Sequence, residues 1–189
     1  MPPLPRVLAA LACAAGLLLA SPGLASAADL VHTDPARDVL VGDIEGDRTH
    51  PAPGERRVDI RRVTVSHGLD SLIVSLRTRG PLPTKRFFVG ARLKTSAGSF
   101  EVTYASFYGE SGVSLTRNLD DIACEGLTAT VEARTATLVV PTACLGTPAW
   151  ARVGVGVAQM RKKRMVVDDG FSKGVVGDDL RLSKRIARG

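Results

Sequence analysis

Five acidic residues, Asp34, Asp38, Asp43, Glu45 and Asp47, crowd a stretch punctuated by Asp34-Pro35, Gly42-Asp43 and Gly46-Asp47. Hard carboxylate oxygens at that density are what Ca²⁺ requires, since it takes about six to eight oxygen ligands. The spacing departs from the Asp-x-Asp-x-Asp-Gly loop of an EF-hand, which also needs a Glu at the twelfth position. Asp and Gly are equally the residues of solvated turns. These five are therefore read as a candidate calcium set, with plain turn chemistry as the competing reading. No other cofactor is expected.

Two further groups could bind a partner. Arg161-Lys162-Lys163-Arg164 is a basic run between two apolar segments, placed to form the tip of a hairpin. Charge there attracts anionic polymers or lipid headgroups, and it also discourages edge-to-edge strand pairing. Phe107-Tyr108, at a strand end, is the aromatic doublet best placed for exposed rings to stack on sugars.

Catalytic constellations are sparse. Gly109-Glu110-Ser111-Gly112 is similar to the Gly-Asp-Ser-Gly of chymotrypsin-like proteases, but the upstream His67 lies too near in sequence for a two-barrel enzyme. A triad is defined by geometry and roles, so this stretch is read as turn plus strand. There is no His-Glu-x-x-His and no Gly-x-Ser-x-Gly. His32, His50 and His67 read as solvated loop residues. The pairs Asp120-Asp121, Asp168-Asp169 and Asp178-Asp179 also read as loop residues, because neighbours on a strand point to opposite faces.

These residues must be positioned by strands. From Val58 onward, short apolar alternations follow one another. Leu72, Val74 and Leu76 share one face, as do Phe87, Val89, Ala91 and Leu93, and then Phe100, Val102 and Tyr104. In VDIRRVTVS the apolar parity switches, which predicts a bulge near Arg61-Arg62. Leu127 to Ala133 and Ala136 to Val140 predict a hairpin folded about Arg134-Thr135, with Val131 opposite Leu138 and Ala129 opposite Val140. The turn lacks Asn-Gly or Gly, so a longer loop or a bulge is expected there. That register brings Cys124 within one residue of Cys144, close enough for a disulfide, whose closed loop is worth about 3 kcal/mol in the chain-entropy model. Beyond Pro148, Ala151, Val153, Val155 and Val157 alternate with Gly154 and Gly156, which marks close packing on the glycine face. Trp150 is expected as a core or inter-sheet ring. Many short strands without an amphipathic helical window argue an all-β fold, an antiparallel β-sandwich of jelly-roll type with one disulfide.

Residues 1–27 read as a cleaved signal peptide: Arg6, then the apolar VLAALACAAGLLLA, then Ala25-Ser26-Ala27 before Ala28. Residues 28–57 are turn-rich, with a short strand at 39–41. Residues 58–180 form the sandwich, and 181–189 a basic C-terminal tail, either a last strand or a mobile one. Export leaves Cys124 and Cys144 as a pair in an oxidising compartment. No second apolar run is long enough for a transmembrane helix. The formal net charge is +6, of which Arg6 contributes one charge from the leader. A basic protein outside the cell meets anionic cell-wall polymers or glycans rather than nucleic acid.

The order Asp34-Pro-x-x-Asp38, Asp59-Ile60, Pro141-x-x-Cys-Leu-Gly-x-Pro-x-Trp150 and Val153-Gly-Val155 resembles small secreted β-sandwich proteins of high-GC bacteria. They are broadly of the DOMON and family 9 carbohydrate-binding kind. The resemblance implies a ligand-binding or accessory module outside the cell. DOMON-type haem binding uses Met and His; Met160, Met165 and His67 are the candidates here, and with no motif to place them no haem site is carried over. The function expected is a secreted, non-enzymatic binding or cell-surface interaction protein. The alternatives are a carbohydrate-binding module and a secreted hydrolase.

Overall fold

The structure is a computed structural model that describes residues 28–44, 48–174 and 179–189. The leader, Glu45, Asp47 and Asp178 lie outside the described residues. The strands in chain order are β1 (Ala28–Thr33), β2 (Leu40–Asp43), β3 (Thr49–Pro51), β4 (Ile60–His67), β5 (Ser71–Thr78), β6 (Phe87–Thr95) and β7 (Gly98–Phe107). They continue as β8 (Glu110–Arg117), β9 (Asp120–Asp121), β10 (Thr128–Glu132), β11 (Thr135–Pro141), β12 (Trp150–Arg161), β13 (Arg164–Asp169) and β14 (Ile186–Ala187). All pairings are antiparallel.

The smaller sheet runs β1-β4-β5-β11-β10 and the larger runs β3-β2-β13-β12-β6-β7-β8-β9, with β14 beside β12. The two pack as a sandwich, as the alternation expects. Leu72, Val74 and Leu76 of one sheet and Val89, Leu93, Val153 and Val155 of the other belong to one buried cluster. Each buried Val or Leu side chain contributes about 1.5–3 kcal/mol of transfer free energy. The parity switch on β4 is a register shift between Ile60 and Arg62. It lets Ile60, Val63 and Val65 all face inward.

Residues 28–57 do more than the one expected strand, because β1 lines the edge of the smaller sheet and β2 and β3 extend the larger. The hairpin β10–β11 is tighter than expected, and its register differs by two. Val131 faces Ala136, Ala129 faces Leu138, and only Ala133-Arg134 lie between the paired Glu132 and Thr135. The turn is held from outside: Thr78 N–H donates to the Arg134 carbonyl and Leu82 N–H to that of Ala133. Neighbouring backbone thus replaces the special turn residues. Even with the shifted register, Cys124 and Cys144 form the disulfide, with a Cα–Cα distance of 5.6 Å.

The face bearing Gly154 and Gly156 is covered by the C-terminal segment. A Cβ on Gly154 would lie 2.9 Å from the Arg181 carbonyl oxygen and from the Leu180 Cβ, and one on Gly156 would lie 2.7 Å from Leu180 Cδ2. Ser183 then exchanges bonds with Val153, and β14 pairs with Trp150-Ala151. Residues 181–189 are accordingly docked on β12. Trp150 is not the expected core ring: it is half-buried on the outer face, with the Arg185 guanidinium 4.3 Å from its ring centroid.

Candidate functional site

The expected binding residues fall in two places. The first is one end of the larger sheet. β6 starts there, β7 ends there, and β12 turns into β13. Arg161–Arg164 forms that last turn, with Lys162 at φ 52°. The Arg161 guanidinium is not free, because it bonds Glu55 at 2.7 Å and Gln159 at 2.7 Å. Burial opposes ionisation of Glu55, but hydrogen bonds from Arg161 and from the N–H groups of Arg57 and Arg56 hold its carboxyl below the usual range. Lys162, Lys163 and Arg164 are exposed and have no ion pair among the described residues.

The aromatic doublet belongs to the same end. Met160 N–H donates to the Arg86 carbonyl, and the Arg86 guanidinium sits 5.5 Å from the centroid of Tyr108. Tyr108 is 86% exposed. Phe107 is half-buried on the outer face, its ring 4.7 Å from that of Phe88. Nearby, Arg37, Pro53, Gly54, Arg56 and Arg79 line a shallow recess of about 590 Å³, and Glu55 links it to Arg161. Cations and rings from distant parts of the chain thus share one surface.

The second place is interior. Asp34 and Asp38, in the β1–β2 loop, meet Asp168 near the end of β13, with one carboxylate oxygen from each within 4.8 Å of the others. Asp34 is fully buried, and neither of its carboxylate oxygens has a hydrogen-bond donor; the oxygens of Asp38 make no hydrogen bond of good geometry, but the backbone N–H groups of Asp38 and Gly174 come close enough to favour its ionised form. Asp168 accepts from Ile60 N–H at 2.6 Å, joining the two sheets. Asp59 Oδ2 is bound by the Arg79 guanidinium at 3.0 Å and by Arg37 N–H at 3.0 Å, while its Oδ1 is buried without a donor. Asp169 accepts from Phe171 N–H and Arg181 N–H. His32 borders the cluster, with Nε2 4.0 Å from Asp34 Oδ1 and its ring stacked on Phe171.

Burial pushes the Asp34 carboxyl up to about 9, reinforced by the negative charges of Asp168, Asp38 and Asp169. Burial likewise raises Asp168 to about 7, with Asp38 and Asp59 adding to it. Asp38, Asp59 and Asp169 are also raised, in each case chiefly by burial.

Of the five acids in the expected calcium set, Asp34 and Asp38 converge, while Asp43 is exposed at the end of β2, opposite Arg164. Asp168 was missed. It reads as half of a loop pair, yet Asp168-Asp169 is buried at the end of a strand. The expectation of solvated loop histidines fails for His67, fully buried on β4, and for His32, half-buried on β1; His50 is exposed but lies on β3. Met160 and Met165 face each other across β12–β13 in the larger sheet. Ser111 is exposed on β8, also in the larger sheet.

No helix among the described residues is long and apolar enough to cross a membrane. Comparison with known proteins finds no matching family model, no similar curated protein and no similar solved structure.

Proposed function

We propose that this is a secreted, non-enzymatic binding protein that attaches to an anionic polymer of the cell surface through the basic end of its larger sheet. The observation that carries the reading is the convergence of three turns. Lys162, Lys163 and Arg164 stand free on one, Arg86 on the next, and Tyr108 projects from the third under the Arg86 guanidinium. Glu55 fastens Arg161, so the turn is held while the cations beyond it remain available. Mobile counter-charges on a flexible anionic chain suit such a surface, because attraction between exposed charges needs no tight geometry. The leader-like first 27 residues and the disulfide are consistent with function outside the cell.

Co-sedimentation tests this. The protein should pellet with sacculi that carry their anionic polymers and not with stripped sacculi, and binding should weaken with salt. Replacing Lys162, Lys163 and Arg164 together with Ala should lower affinity by roughly tenfold or more. Unchanged binding by that variant would refute the reading.

A carbohydrate-binding module is the second reading, favoured by the exposure of Tyr108 beside Phe107. It requires retention on neutral glycans that is lost in Tyr108→Ala, because ring stacking rather than charge would then hold the ligand.

A further inference from the structure

We propose that Asp34, Asp38 and Asp168 form a divalent-cation site, selective for Ca²⁺, that joins the β1–β2 loop to the end of β13 across the two sheets. The distances fit. Oxygens bound to one Ca²⁺ at about 2.3–2.6 Å can stand no more than about 5 Å apart, and one oxygen from each of the three lies within 4.8 Å of the others.

The second observation is independent of that clustering. Asp34 is fully buried, and neither of its oxygens meets a donor. Buried carboxylates elsewhere in this protein are served: Asp169 takes two backbone N–H groups, and Asp59 has Arg79 and Arg37 N–H on one oxygen. An unserved buried carboxylate is costly, and a fold that provides donors for its neighbours could have provided them here.

Charge gives the valence. Asp59 is matched by Arg79, and Asp169 is held by backbone. Among the described residues, Arg61 is the cation whose charge acts on both Asp34 and Asp38, and its Nη1 is itself buried without a hydrogen bond. Once an ion binds, all three carboxyls are ionised, and three carboxylates against one guanidinium leave two negative charges, which a divalent ion closes. The three ligands offer only hard oxygens, which excludes a thiolate-type zinc site. Side chains from a loop and a strand in irregular array suit Ca²⁺ better than Mg²⁺, which demands near-ideal octahedral geometry.

Calorimetric titration of the EDTA-treated protein with CaCl₂, paired with thermal unfolding with and without Ca²⁺, tests the site. The expected affinity is on the order of 10⁻³ M or tighter, the range of extracellular calcium modules and stronger sites, with an upward shift in Tm. Asp34→Asn and Asp168→Asn should each weaken Ca²⁺ binding by roughly tenfold or more. Asp34→Asn should leave Tm in EDTA unchanged or higher, because the carboxyl has no hydrogen bond there to lose; that outcome separates a lost ligand from a damaged fold. Asp43→Asn, away from the cluster, should keep the full response. No heat and no Tm shift up to millimolar Ca²⁺, or an undiminished response in Asp34→Asn, would overturn the proposal. The measurement involves no polymer, so it stands or falls separately from the surface-binding reading.

Discussion

His67 Nδ1 lies 3.3 Å from the carbonyl oxygen of Ile186, so β14 is fastened to the smaller sheet by a side chain while its backbone pairs with the larger one. A carbonyl can only accept, so the ring carries its proton on Nδ1. Nε2 is buried without a partner.

Burial, with a smaller contribution from Arg188, lowers the His67 pKa against the raising effect of the Ile186 bond. The unfolded chain then takes up a proton at a higher pH than the folded one. Stability from His67 is present above the unfolded value of about 6.5 and is lost as pH falls through the depressed folded value. Urea unfolding of wild type and His67→Gln between pH 8 and 5 should show the wild type losing ground to the variant on acidification. Parallel profiles would refute this.

Among the described residues, Arg79 is the side chain that forms an ion pair with the fully buried Asp59. Removing one member of a buried pair strands the other. Arg79→Ala should therefore cost about 3 kcal/mol in chemical denaturation, whereas Arg164→Ala on the exposed turn should change stability by less than about 0.5 kcal/mol.

The Cys124–Cys144 bridge spans a sequence separation of 20 around the β10–β11 hairpin. Replacing both cysteines with Ser should cost about 3 kcal/mol through the freed unfolded chain. The same loss should appear when the wild type is unfolded under reducing conditions.

Gly154 faces backbone, with the Arg181 carbonyl oxygen 2.9 Å from where a Cβ would stand. Backbone cannot swing aside as a side-chain end can. Gly154→Ala should cost about 1–3 kcal/mol and should open the chain near Lys184-Arg185 to trypsin. Gly90, whose Cβ would meet nothing within 4 Å, is the control and should tolerate Ala.

Strands were legible in the sequence because burial on one face writes itself at period two, as in Leu72, Val74 and Leu76. The bulge at Ile60/Arg62 was legible for the same reason, since a change of parity has no other economical cause. The hairpin register was not, because carbonyls of its turn are fixed by Thr78 and Leu82, and no local rule reports such distant donors. Two of the three clustered carboxylates were legible in the crowding of Asp34 and Asp38. Asp168 was hidden because its inward orientation depends on β13 pairing with β12 and on the Ile60 N–H, 108 residues away in sequence. Trp150 misled for a related reason: aromatic size suggests an interior, but its parity on β12 matches Gly154 and Gly156, the covered outer face.

That placement gives the protein a built-in optical gauge. Trp150 is the only tryptophan in the chain and lies against Arg185, beside the strand pairing of Ala187. An indole released from a guanidinium and exposed to water changes its emission, so fluorescence follows the undocking of this one segment. Circular dichroism follows the strands as a whole. Where the two transitions separate along a denaturant series, the gap between them measures how independently the C-terminal segment leaves the sandwich.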